Sequence, residues 1–161
     1  MPVGPFCAGD GQRKVKQTAM TDRQEAIDLI LDHFHQPRNR RPMDDATFSA
    51  EGINPGCGDV VRMFVRLGDD GRAADVSFDG QGCTISQAAA SIMTEIALGK
   101  TPDEILDMDG EVMVDTLGRD VVISRVRCAT LPLDVLKEGA QSYRNGASRR
   151  PEVDTSRSAR A

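Results

Sequence analysis

The sequence is poor in aromatic residues, with no tryptophan, one tyrosine and five phenylalanines among 161 residues. Its hydrophobic core must therefore be built mainly from aliphatic and small side chains. The chain also lacks a surplus of basic residues, because its net charge is −5 and its pI is near 5.0. This balance excludes nucleic acid as the main partner, since binding to phosphates needs a positively charged surface.

Long apolar runs are also missing. No stretch approaches the roughly 18 residues of a membrane span, and no signal peptide is recognisable. We therefore predict a cytoplasmic protein with no membrane partner. Thiols are kept reduced in the cytoplasm, so the cysteines are expected to be ligands or nucleophiles rather than disulfides.

Histidine is scarce, and the close Cys-x-x-Cys pairs that a zinc finger would show are absent. The two histidines, His33 and His35, lie far in sequence from the cysteines and are predicted to be solvated residues at a helix end, with packing of His33 against the first loop as the alternative. A Cys–His nucleophile pair therefore has no support. The glycine-rich segment 80–82 lacks the lysine and hydroxyl residue of a phosphate-binding loop, so nucleotide binding has no support either.

One compact domain with unpatterned ends is predicted from the length and composition. Residues 1–19 are expected to be a disordered extension, 20–145 the folded domain and 146–161 a disordered tail. Met20 directly precedes a predicted helix, so translation could begin at Met1 or at Met20. Cys7 falls in the extension and is interpreted as an incidental exposed thiol.

Hydrophobic periodicity predicts an α+β fold. Helical spacing is found over residues 21–35, 85–97, 101–106 and 112–117, and in a last helix ending near Tyr143. Strand-like alternation is found over residues 60–67 and 74–78, with Ala74, Val76 and Phe78 on one face, and residues 46–51 are a weaker strand candidate. A turn at residues 68–71 makes the strands an antiparallel meander. Pro132 is expected to kink or interrupt the last helix.

Three cysteines lie at predicted junctions between elements. They are Cys57 in NPGCGD, Cys83 in GQGCTIS and Cys128 in RCATL, and Asp59 follows the first of them. Three thiols and a carboxylate suit zinc or an iron–sulfur cluster. Because each ligand comes from a different junction, such a site forms only on folding and lies near the surface. An exposed site suits a cluster that is built and then given away, whereas a structural zinc is usually more enclosed.

The neighbours of these cysteines suggest further roles. Cys83 precedes a helix, whose positive end would stabilise a thiolate. Asp59 would be a hard oxygen ligand among sulfurs and therefore easier to exchange. Arg127 could pair with Asp59 when no metal is bound, or lower a thiol pKa. Each residue also has a plain structural interpretation: Cys83 as a small buried residue, Asp59 as a turn residue and Arg127 as a surface arginine.

Several segments together carry a family resemblance. They are Asp32-His33 with Pro37-Arg38-Asn39, then residues 54–59, 80–86, 88–93 and 127–131. Over about Ala26 to Ala140 the chain resembles the IscU/SufU/NifU-type iron–sulfur cluster assembly scaffolds. The resemblance implies a SufE/NifU-like fold, a small three-stranded antiparallel sheet packed against helices. It also implies that Cys57, Asp59, Cys83 and Cys128 gather at one end.

The resemblance implies a function as well. Such proteins accept persulfide sulfur from a cysteine desulfurase, assemble a [2Fe-2S] cluster and pass it to apo-proteins, and zinc often occupies the same site. The chain would then be a carrier without turnover of its own, and so not an enzyme. The alternative is a zinc-dependent sulfurtransferase of the SufU type. A third interpretation is a structural zinc domain, and each of the three is compatible with a homo-oligomer.

Features of two branches are combined in this sequence. Arg127 is SufU-like, since IscU- and NifU-like members usually have histidine there. The insertion that SufU-like members carry between the second and third cysteines has little room here. The Leu-Pro-Pro-Val-Lys segment of IscU-like members is replaced by VVIS at residues 121–124. The expected sulfur acceptor is Cys57 by SufU resemblance or Cys128 by IscU resemblance.

Overall fold

Three antiparallel strands in the order β1–β2–β3 form the sheet. A computed structural model describes residues 23–146, with strands Phe48–Asn54 (β1), Asp59–Leu67 (β2) and Ala73–Gln81 (β3). The predicted α+β class with a three-stranded meander is confirmed. The first strand lies further along the chain than expected. Gly52 and Asn54 are poor strand formers, but pairing with β2 down to Asn54 opposite Asp59 holds them in the ladder.

Helices surround this sheet. They are Arg23–His35 (α1), Thr84–Ala97 (α2), Pro102–Asp107 (α3), Glu111–Leu117 (α4), Arg119–Val122 (α5) and Val126–Arg144 (α6), with a 3-10 turn at Ile123–Arg125. The predicted helix over residues 101–106 is present as α3, and a capping box of Thr101 and Glu104 begins it. The expected interruption at Pro132 is wrong, because α6 continues through it. Its neighbours Leu131 and Leu133 are buried, so packing outweighs the lost backbone hydrogen bond.

The packing of α6 on the sheet brings two distant parts of the chain together. Helix α6 lies across β1 and β2, α2 lies against β3 and α6, and α1 packs on α2. A Cβ at Gly52 would lie 2.5 Å from Val135 Cγ2, so glycine permits the close approach of α6 to β1. This contact places the first turn of α6, which contains Cys128, beside the end of β1, which contains Asn54.

Some predictions on the edges of elements need correction or lie outside the described residues. Ala74 is exposed and Ala73 is buried, because a register shift at Arg66 and Leu67 displaces the expected alternation in β3. The expected helix start at Thr21, the extension 1–19 and the tail beyond 146 lie outside the described residues. Within residues 23–146, none of the helices combines the length and the apolar character needed to cross a bilayer.

Candidate metal and sulfur site

The four candidate ligands meet at one end of the sheet. The Sγ atoms of Cys57 and Cys128 lie 3.6 Å apart. One ligand atom each from Cys57, Asp59 and Cys128 lies within 4.8 Å of the others. The Sγ of Cys83 lies 3.5 Å from Asp59 Oδ2. Folding therefore brings Cys83 and Cys128 to the neighbouring Cys57 and Asp59, although the three cysteines lie 26 and 45 residues apart in the sequence.

The turn between β1 and β2 presents Cys57. The backbone N–H groups of Cys57 and Gly58 donate to Asn54 O over 3.2 and 2.7 Å. Gly58 has φ +77°, in the left-handed region where a side chain is strained. The Asn54 Oδ1 accepts from Gly56 N over 3.1 Å and closes the same turn. The turn is thus fixed by backbone bonds and leaves the Cys57 thiol exposed.

Asp59 and Cys83 are held together by a backbone contact. Asp59 is 2 % exposed and its Oδ1 accepts from Cys83 N over 3.0 Å. A Cβ at Gly82 would lie 2.8 Å from Asp59 Oδ1, so the residue at this position must be small. The short glycine segment before Cys83 therefore makes room for the carboxylate.

Cys83 caps α2, at the helix start that the sequence predicts. Its Sγ accepts from Ser86 N over 3.4 Å, which satisfies one of the free N–H groups of the first turn. Ser86 Oγ in turn donates to Cys83 O over 3.2 Å. The sulfur therefore lies at the positive end of the helix dipole, where negative charge is favoured.

The three thiols differ in their access to solvent. Cys57 is exposed, Cys83 is half-buried and Cys128 is 1 % exposed. Burial, and then hydrogen bonding with Cys57, Asp59 and Cys83, raises the pKa of the Cys128 thiol. A reagent or partner protein thus reaches Cys57 first, while Cys128 lies in the interior of the site.

Arg125 interacts with the thiols of the site through its charge. Side-chain hydrogen bonding with Cys83, and then the charges of Cys83, Cys128 and Cys57, raise the pKa of Arg125. The suggested ion pair between Arg127 and Asp59 is not formed, because the carboxylate accepts from Cys83 instead. Arg125 lies in the 3-10 turn before α6 and has non-helical backbone angles, φ −136° and ψ 39°, so helical spacing from Cys128 could not have indicated it.

An open cavity of about 880 Å³ adjoins the site. Its lining includes Cys57, Ile123, Arg125, Val126 and Arg127. The side chains of Ile123 and Val126 are 67 % and 41 % exposed. The mouth of the site therefore combines apolar side chains with two guanidinium groups.

One histidine prediction is wrong. His33 is only 5 % exposed, and its Nδ1 lies 2.7 Å from Ser91 Oγ, whereas His35 is exposed as predicted. The burial follows from the packing of α1 on α2, which the sequence of α1 alone does not show. Burial, and then the charge of Arg38, lowers the pKa of His33. Ser91 Oγ also accepts from Arg38 N over 2.8 Å, so this pair anchors the chain that leaves α1.

Comparison with known proteins identifies the family. The profile of the NifU-like N terminal domain matches residues 25–150. The chain belongs to this family. The predicted resemblance is confirmed, and the match covers all of the elements that build the site.

Relatives of the NifU-like family carry two kinds of name. The "Iron-sulfur cluster assembly scaffold protein IscU" of Thermotoga maritima is 34% identical over 67% of this chain and 75% of its own length. The "Zinc-dependent sulfurtransferase SufU" of Bacillus subtilis is 31% identical over 73% of this chain and 90% of its own length. A solved structure from Fervidobacterium islandicum, named as a candidate scaffold protein for the SUF system, has a TM-score of 0.59 and 27% identity over 70% of this chain and 93% of its own.

The two alignments also differ in length. The alignment with SufU runs over 135 positions but covers only 73% of this chain, so SufU has residues with no counterpart here. The alignment with the Thermotoga protein runs over 108 positions and covers 67% of this chain, with no such excess. In length, this chain is closer to the Thermotoga protein than to the Bacillus protein.

Proposed function

We propose that this protein is an iron–sulfur cluster assembly scaffold that accepts sulfur from a cysteine desulfurase, builds a [2Fe-2S] cluster and transfers it to apo-proteins. The observation that carries the proposal is the meeting of three thiols and a carboxylate from separate elements at one accessible end. Iron–sulfur clusters are held by thiolates. Cys57, Asp59, Cys83 and Cys128 are the proposed ligands, and the cluster is the cargo.

Sulfur is proposed to enter at Cys57. This thiol is exposed, whereas Cys128 is buried and so less able to reach a persulfide on another protein. The Cys57 thiolate attacks the outer sulfur of the desulfurase persulfide, the S–S bond breaks, and the desulfurase thiolate leaves. The product is a persulfide on Cys57. Its conversion to cluster sulfide needs two electrons per sulfur, which an external reductant supplies.

Release of the cluster is proposed to begin at Asp59. An oxygen ligand among sulfurs is the weakest match for a thiolate-preferring cluster. The carboxylate has an alternative partner in Cys83 N, 3.0 Å away, which can hold it when it leaves the metal. These features support a site that gives its cargo away.

A second candidate is a zinc-dependent sulfurtransferase. The arginine cluster at residues 125 and 127 and the identity to the SufU relative favour it. The same four side chains offer three sulfurs and one oxygen, a donor set that suits tetrahedral zinc. A bound zinc ion would lower the pKa of the thiols that it touches and orient them.

The deciding experiment is anaerobic loading. The purified protein is analysed for metal and acid-labile sulfide before and after incubation with a desulfurase, L-cysteine, ferrous iron and dithiothreitol. A scaffold gains a visible chromophore with iron and sulfide in equal amounts. Cys83→Ser should lose this chromophore, and Cys7→Ser is the matched control that should keep it.

The same assay identifies the alternatives. A colourless zinc protein that accelerates desulfurase turnover would establish the sulfurtransferase. Bound zinc with neither cluster nor acceleration would leave only a structural zinc domain. As a scaffold, the protein would turn over no substrate of its own. Its partners would be a cysteine desulfurase and apo iron–sulfur proteins, and the reduced thiols that it needs suit the cytoplasm.

A further inference from the structure

The side-chain amide of Asn54 contacts the sulfurs of Cys57 and Cys128. Its Nδ2 is 3.5 Å from Cys128 Sγ and 3.7 Å from Cys57 Sγ, within the longer range of hydrogen bonds to sulfur. The residue is 7 % exposed. One buried amide therefore contacts a thiol from the β1–β2 turn and a thiol from α6.

The orientation of this amide follows from its other contact. Asn54 Oδ1 accepts from Gly56 N over 3.1 Å. A reversed amide would set two donors against each other at Gly56, so the Nδ2 hydrogens must point towards the sulfurs. An amide nitrogen carries two hydrogens, which matches the two sulfurs that it faces. Burial strengthens such bonds, because little water competes for them.

We propose that Asn54 is a positioning residue that holds the Cys57 and Cys128 sulfurs as a pair and lowers their electron donation to a bound metal or cluster. The inference rests on the proposed function, since it takes both sulfurs as ligands. Hydrogen bonds to ligand sulfurs tune cluster potentials, and partners of the ligands set their orientation. The two contacts lie on the pair of thiols that differ most in exposure.

A simpler role, as the residue that closes the turn, uses only Oδ1. Asn54→Asp separates the two roles, because it keeps the acceptor for Gly56 N and replaces the N–H donors with a second oxygen. Asn54→Ser also keeps a short acceptor for the turn and is too short to reach the sulfurs. Gln141→Glu is the matched control, an exposed amide-to-acid change in the same domain.

The first measurement uses cobalt(II) as a probe of the thiolates. We expect the thiolate-to-cobalt charge-transfer band of Asn54→Asp and Asn54→Ser to move to lower energy than in the wild type, at unchanged stoichiometry. Gln141→Glu should match the wild type. In cluster-loaded protein, the midpoint potential of both Asn54 variants should move to more negative values. A band and a potential unchanged in both variants would overturn the proposal.

The second measurement needs no metal. In the NMR spectrum of the apo-protein, the Asn54 side-chain amide protons should exchange more slowly than those of exposed Asn145 and shift in Cys57→Ala and Cys128→Ala. Rapid exchange of these protons, with chemical shifts unchanged in both cysteine variants, would show that the contact is absent and would overturn the proposal. Failure to assemble a cluster, with the cobalt band still shifted, would count against the scaffold function and not against Asn54.

Discussion

Replacing Gly82 with alanine is expected to damage the site from a position that supplies no ligand. The new Cβ would lie 2.6 Å from Ser86 Oγ and 2.8 Å from Asp59 Oδ1, closer than side-chain carbons approach other atoms. Ser86 is fully buried, and Asp59 is held by Cys83 N over 3.0 Å. The new Cβ would also lie 2.9 Å from Asp59 Cγ, so the carboxylate as a whole must shift and strain its hydrogen bond to Cys83 N.

The expected cost follows from the kind of contact. Overpacking of a filled site costs about 1–3 kcal/mol. With a urea m-value of about 1–3 kcal/mol/M, the unfolding midpoint of the apo-protein should fall by about 1 M. Gly110→Ala is the matched control, because its Cβ would lie 3.4 Å from Thr130 Cγ2 and its backbone is helical, with φ −59° and ψ −23°. We expect that control to stay within about 0.5 kcal/mol of the wild type.

Urea denaturation followed by circular dichroism, with and without Zn²⁺, checks both parts of the prediction. Ligand binding to the folded state raises the free energy of unfolding according to affinity. The increase caused by zinc should be smaller in Gly82→Ala than in Gly110→Ala, because the shifted Asp59 is a poorer ligand. Equal midpoints and equal zinc effects in the two variants would refute the argument that Gly82 sets the position of the carboxylate.

Three further predictions follow from other parts of the chain. Asp59→Ala should slow cluster transfer to an apo-acceptor, measured by the decay of the donor chromophore; transfer as fast as in the wild type, or failure to assemble a cluster, would contradict the proposed release point. Cys7→Ser should leave metal content and cluster assembly unchanged, and a large loss of either would give the N-terminal segment a role. Burial and Arg38 lower the pKa of His33, so the unfolded chain takes up the proton first and stability should fall as pH drops below about 6.5. In His33→Gln this pH dependence of the unfolding free energy should be weaker, and an unchanged slope would contradict it.

Much of the fold could be predicted because local patterns and tertiary packing agree. Apolar alternation in β2 and helical spacing in α2 place Val61, Met63 and Met93 in the core, where the structure has them. The predictions for Ala74 and Pro132 are wrong for the same reason. A register shift between β2 and β3 turns Ala74 outward, and the packing of α6 carries the helix through Pro132, so in both cases neighbouring elements outweigh the preference of a single residue.

The sequence by itself determined which donor groups this protein has, three cysteine sulfurs and one carboxylate oxygen in short motifs, and the family to which the chain belongs. These follow from residue types and from short motifs such as residues 54–59, which can be recognised without knowing which other residues lie nearby in the fold. Only the tertiary structure decided that Arg125 interacts with the thiols, that His33 is buried, and that the Asn54 amide contacts two sulfurs. Each of these depends on how α1, α6 and β1 pack against their neighbours. Packing joins residues far apart in the chain, and no local pattern encodes those distances.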